Sequence, residues 1–108
     1  MSSHSFADYV QDLLSPFGLI KLRRMFGGYG VYAHAVMMGL IVDDELYFKA
    51  NKKTAVYFEQ AGSQPFTYQR NEKLVALSYW KVPADVLDDQ EQLKTWFLLA
   101  ISSTKAAS

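Results

Sequence analysis

Three features of the chain point to an α+β domain built on an antiparallel sheet. Apolar residues recur at helical spacing near both ends, and the middle is rich in β-branched, aromatic and glycine residues. Its extended segments are joined by short turns, which suit antiparallel neighbours rather than parallel crossovers. The expected order is α-β-β-β-α-β-β-α, with five strands. It forms a single domain over residues 1–108, its core running from about residue 5 to residue 102.

Each element has its own signal. Phe6, Tyr9, Val10, Leu13 and Leu14 fall on one helical stripe. Ser5 with Asp8 reads as a capping box, and Ser15-Pro16 with Gly18 closes that helix. Residues 25–33 and 35–42 read as strands, interrupted by Gly27, Gly28, Gly30 and Gly39. Asp43-Asp44 then reads as a two-residue hairpin link into Leu46-Tyr47-Phe48. Asn51 caps a helix over residues 52–61, which Gly62 ends. Phe66-Thr67-Tyr68 alternates as a short strand, and Arg70-Asn71-Glu72 turns the chain into a last strand over 74–82. The Leu74-Val75-Ala76-Leu77 run reads as central and buried, and Pro83 stops the strand. Asp88 is expected to cap the final helix with Glu91 at its third position. Leu93, Trp96, Phe97, Ala100 and Ile101 form its apolar stripe, and residues 102–108 read as frayed.

Composition narrows the function. Half of the 108 residues are apolar and 15% are aromatic, enough for one core without staples. The absence of cysteine excludes disulfides and thiolate metal sites. Eleven basic residues balance eleven acidic ones, so the basic excess usual in nucleic-acid-binding domains is missing. The first residues show no secretory signal, and no apolar run approaches the ~20 residues of a membrane span. A cytoplasmic protein with no membrane partner and a tendency to form a homodimer is expected.

No catalytic set can be assembled. His4 lies at the terminus, and His34 lies in a turn between Ala33 and Ala35 without a partner for acid–base work. Asp43-Asp44-Glu45 reads as a solvated hairpin rather than a cation site, because no further ligand follows at calcium-loop spacing. Gly27-Gly28-Tyr29-Gly30 runs into another extended segment, whereas a phosphate loop opens a helix. No cofactor, metal or catalytic residue is therefore expected. What remains is surface. Arg23, Arg24, Gly27, Gly28, Tyr29, Gly30 and Tyr32 are the candidate binding residues, with Lys21 beside them and Lys81 after Tyr79-Trp80. Arginine among aromatic rings suits a protein interface, and it also suits phosphate contact with base stacking. Solvated strand flanks would look the same, so all three readings stay open on residues alone.

Arg23-Arg24-Met25-Phe26-Gly27-Gly28-Tyr29-Gly30, Gly39-Leu40-Ile41 and Asp43-Asp44-Glu45-Leu46-Tyr47-Phe48-Lys49 form a linked set of motifs. With Phe66-x-Tyr68, Leu77-Ser78-Tyr79-Trp80-x-Val82-Pro83 and Leu93-x-x-Trp96, the chain resembles the N-terminal domain of TfoX/Sxy proteins from about Phe6 to Ile101. The resemblance implies a small α+β fold of the secretion-chaperone-like type and a non-enzymatic role. Full-length members regulate natural competence, acting with the cyclic-AMP receptor protein at a subset of its promoters. They carry a second, C-terminal domain, whereas this sequence stops at Ser108. The leading expectation is thus a regulatory module that binds a protein of the transcription apparatus through the seven candidate residues. Direct DNA binding is the alternative, and small-molecule sensing is a third.

Overall fold

The computed structural model describes the backbone of residues 3–25 and 27–104 and the side chains of residues 6–25 and 27–104. Among these residues six strands form one sheet: β1 (Ile20–Met25), β2 (Gly28–Ala33), β3 (Val36–Val42), β4 (Glu45–Lys49), β5 (Pro65–Arg70) and β6 (Lys73–Lys81). The spatial order is β1-β2-β3-β4-β6-β5, and every neighbouring pair is antiparallel. Four α-helices accompany it: α1 (Ser3–Leu14), α2 (Ala55–Gln60), α3 (Ala84–Leu87) and α4 (Gln90–Ser103). A 3-10 turn at Ser15–Phe17 follows α1. The α+β architecture is as the sequence indicates.

The sixth strand is a correction to the five expected. Gly27 has φ +76°, so the glycine segment turns instead of running straight, and Met25 pairs back onto Gly28. One anticipated strand over 25–33 is therefore the second half of a hairpin whose first half is β1. Three further hairpins close on two-residue turns with both φ angles positive: His34-Ala35, Asp43-Asp44 and Asn71-Glu72. That backbone is the type I′ turn, whose twist matches that of the flanking strands.

The core lies between the sheet and the helices. Ile20, Val31, Ile41, Leu46 and Phe48 point from successive strands into a buried cluster with Val10, Leu14, Phe58, Leu93 and Phe97. α1 contacts β1, α4 contacts β3 and β4, and α2 contacts β6. Aromatic rings fix the angles between elements, with Phe58 and Trp96 centroids 4.7 Å apart and Phe17 and Phe97 5.4 Å apart. The α4 stripe falls as spaced: Leu93, Trp96, Phe97 and Ala100 are buried and Ile101 half-buried.

Other boundaries differ. α1 starts at Ser3, which puts Ser5 inside the helix and not at its cap; the side chains of His4 and Ser5 lie outside the described residues. α1 buries Ala7, Val10 and Leu14 and leaves Tyr9 exposed. Asn51 Oδ1 does accept from the Lys53 and Thr54 amides, yet regular helix begins only at Ala55. Asp89, not Asp88, caps α4, accepting from the Glu91 and Gln92 amides, so Glu91 is the second helical residue. α4 continues to Ser103, through the first part of the segment read as frayed, and residues 105–108 lie outside the described ones. The largest change is at Leu74–Leu77. β4 pairs with β6 only from Tyr79 to Lys81, so the rest of β6 pairs with β5 alone. This stretch is a projecting two-stranded ribbon, and Leu74 is 72% exposed.

Candidate functional site

Adjacent strand residues point to opposite sides of a sheet, and this splits the candidate binding residues in two. Arg23 lies opposite Gly30, whereas Arg24 lies opposite Tyr29. Tyr29 packs half-buried against the core cluster, so Arg24 and Tyr29 sit on the helix side, with the guanidinium carbon 6.0 Å from the ring centroid. Arg23 and Tyr32 sit on the other side, 5.7 Å apart by the same measure. Both arginines are exposed, and among the described residues neither pairs with a carboxylate.

The glycines have separate tasks. Gly27 makes the turn, at an exposed position. Gly28 is buried against backbone: a Cβ built there would overlap the Ile41 carbonyl oxygen and come within 3.1 Å of its carbon. Gly30 lies beneath Met25 and Tyr32, with Met25 Cε 2.9 Å and Tyr32 Cε1 3.1 Å from where a Cβ would stand. Missing side chains at 28 and 30 thus let β2 sit close to β3 and let Met25 and Tyr32 lean over the sheet.

The side of the sheet away from the helices holds more chemistry than its β1–β2 corner. Among the described residues no helix covers it, and the cross-strand register carries its residues from β1 to β6. One row runs Arg23, Gly30, Leu40, Tyr47, Lys81. Beside it Lys49 pairs with Tyr79, the ammonium 5.1 Å from the ring centroid and 2.8 Å from Ser78 Oγ. Lys81 pairs with Glu45 at 3.2 Å. Tyr47 meets Phe66 edge-on, with centroids 5.0 Å apart. Burial, and secondarily the Glu45 carboxylate, pushes the Tyr47 hydroxyl above its ordinary pKa of 10.0. Burial raises Tyr79 as well, with a smaller contribution from Tyr32. Both phenols therefore remain neutral donors at physiological pH.

Two hollows adjoin the sheet. A cleft of about 870 Å³ lies where β4 runs into α2, lined by Lys49, Lys52, Lys53, Trp80 and Ser102 among others. A groove of about 680 Å³ at the opposite corner is lined by Lys21, Arg23, Tyr32 and His34. Among the described residues no group of three or more histidine or carboxylate side chains could hold a metal ion. Exposed rings under cations can bind anions and flat π-systems. Sequence reasoning noted Lys81 after Tyr79-Trp80 beside the Arg23–Tyr32 segment but passed over Tyr47-x-Lys49, which repeats the Tyr79-x-Lys81 pattern. Their spacing of two, shared by both strands, was the available signal.

The motifs that shape this corner agree with a comparison against known families. The TfoX N-terminal domain model matches residues 12–104. The chain belongs to the TfoX N-terminal domain family. Two curated relatives of this TfoX N-terminal domain are "Protein Sxy" of Escherichia coli K12 and "DNA transformation protein TfoX1" of Aliivibrio fischeri. The first is 28% identical over 83 residues, 77% of this chain and 40% of Sxy. The second is 27% identical over 77 residues, 71% of this chain and 35% of TfoX1. The aligned part of this chain thus spans less than half the length of either. No described helix is long and apolar enough to cross a membrane.

Proposed function

We propose that this TfoX N-terminal domain is a non-enzymatic regulatory module that docks a component of the transcription apparatus on its open sheet face. The observation that carries the reading is that face itself: half-buried tyrosines beneath cations, on a sheet whose other side supplies the core. A sheet that needs only one covered face to fold can devote the second to binding. One relative is named a DNA transformation protein, and we take DNA transformation as the process in which the docking acts. Arg23, Tyr32, Lys49 and Tyr79 make the contact, and Gly28 and Gly30 hold β2 in place beneath it.

The test is genetic and uses the chain as it stands. Cells lacking the gene are complemented with wild type or with Arg23→Ala/Tyr32→Ala, and transcripts of DNA-uptake genes are measured at matched protein levels. Wild type is expected to change those transcripts and the double variant to leave them near the level of the deletion strain, with an unaltered far-UV spectrum. Transcripts that respond equally to both proteins, or to neither, would remove this reading.

A further inference from the structure

Zero net charge conceals a separation of charge. The strands carry seven of the eleven Lys and Arg residues and one acid, Glu45. The helices, with the Asp88-Asp89 link between α3 and α4, carry seven of the eleven acids and one cation, Lys94. Six of the strand cations share the open face by register and alternation: Lys21, Arg23, Lys49, Arg70, Lys73 and Lys81. Only Lys81 has a carboxylate partner among the described residues. The same face carries Tyr32, Tyr47, Phe66, Tyr68 and Tyr79. Balance over the chain therefore does not by itself argue against a polyanion: seven of the eleven acids lie on the other layer, and the remaining four are Glu45, paired with Lys81, and Asp43, Asp44 and Glu72 in hairpin turns.

We propose that the open sheet face takes single-stranded nucleic acid, its phosphates on the cations and its bases stacked on the tyrosines. This rests on the reading of that face as the docking surface, and takes nucleic acid rather than a protein as what docks there. The Arg23–Lys81 row crosses from β1 to β6, four strand spacings or roughly 19 Å, enough for several nucleotides. Rings held half-open with a cation beside each offer a base a stacking partner and its phosphate a charge in one place. A duplex keeps its bases stacked on one another and would meet only the cations. Protein interfaces favour arginine and tyrosine but deplete lysine, and four of the six cations on this face are lysines. Lys49 also lines the cleft beyond the C-terminal end of β4, together with Lys52 and Lys53.

The test is fluorescence anisotropy of the purified chain with a labelled 12-nucleotide single strand of mixed sequence, against a duplex of the same length. Four phosphates neutralised would give a log–log salt slope of about −2.8, a loss near fifty-fold between 50 and 200 mM salt. Arg23→Gln/Lys49→Gln is expected to bring the slope to about −1.4. Tyr79→Ala should weaken binding at least about fivefold with the slope unchanged, and Tyr79→Phe, which keeps the ring, should not. A far-UV spectrum and thermal midpoint of Tyr79→Ala matching wild type separate lost stacking from lost folding. Equal or tighter binding of the duplex, or no binding of the single strand at 20 mM salt, overturns the proposal. If the single strand fails while Arg23→Ala/Tyr32→Ala still abolishes the transcript response, the docking face stands and its ligand is something else, a protein included. If both experiments fail, the docking reading falls with it.

Discussion

Gly27 and Gly28 are neighbours, yet replacing them should have opposite severity. Gly27 has φ +76° with open space where a Cβ would go, so alanine there meets only backbone strain, about 1–2 kcal/mol. At Gly28 the Ile41 carbonyl occupies that space, and neither strand can yield without breaking the β2–β3 ladder. Gly28→Ala is expected to cost about 3 kcal/mol, as overpacking a core does. Urea denaturation of the two variants checks the order; a smaller loss at 28 than at 27 would contradict the packing described. The tyrosines give a second prediction from single residues. Tyr47 and Tyr79 have raised pKa values in the fold, so their contribution to stability is complete below the unfolded value of 10.0 and is lost as pH rises through the folded values. Absorbance at 295 nm should show Tyr47 and Tyr79 ionising in a late phase, which Tyr47→Phe/Tyr79→Phe should remove.

The hairpins carry removable strain. Ala35 and Glu72 sit at φ +65° and +67° in the second turn position, where glycine is preferred. Ala35→Gly and Glu72→Gly should each stabilise the fold by roughly 0.5–1 kcal/mol, read as a rise in thermal midpoint. A fall would mean those turns are not of type I′. The α4 cap responds to pH instead. Hydrogen bonds from the Gln92 side chain, then from the Gln92 and Glu91 amides, hold the Asp89 carboxyl below its ordinary value of 3.8. A depressed folded value means the cap contributes fully above that pH and fades as pH falls through the depressed value. Asp89→Ala should therefore melt lower than wild type at pH 7, with the gap closing in acid below pH 3.8. α4 was legible because five apolar residues, Leu93 to Ile101, keep one helical period over more than two turns. Leu74–Leu77 was not. An unbroken apolar run does not reveal how many strands lie beside it, and here β4 ends before reaching it.

How charge is distributed between layers cannot be read from totals. Asp8, Asp12, Glu59, Asp85, Asp88, Asp89 and Glu91 belong to the helical layer, while the strands hold their seven cations. In sequence the two sets interleave. Only the fold separates them, because every helix packs on the same side of the sheet. The balance of eleven against eleven, which lowers the expectation of phosphate binding, carries no information on this separation. A field set by layers predicts that equal changes in net charge have unequal effects. At pH 7 and 20 mM salt the chain should be retained on a phosphocellulose column although its net charge is zero, since local potential within about a Debye length governs adsorption. Arg23→Gln and Lys94→Gln each remove one positive charge, the first from the open face and the second from α4. The Arg23 variant should elute at distinctly lower salt than wild type and the Lys94 variant close to wild type. Identical shifts for the two would show that the column responds to net charge alone, and the separation of layers would then have no consequence for what the molecule binds.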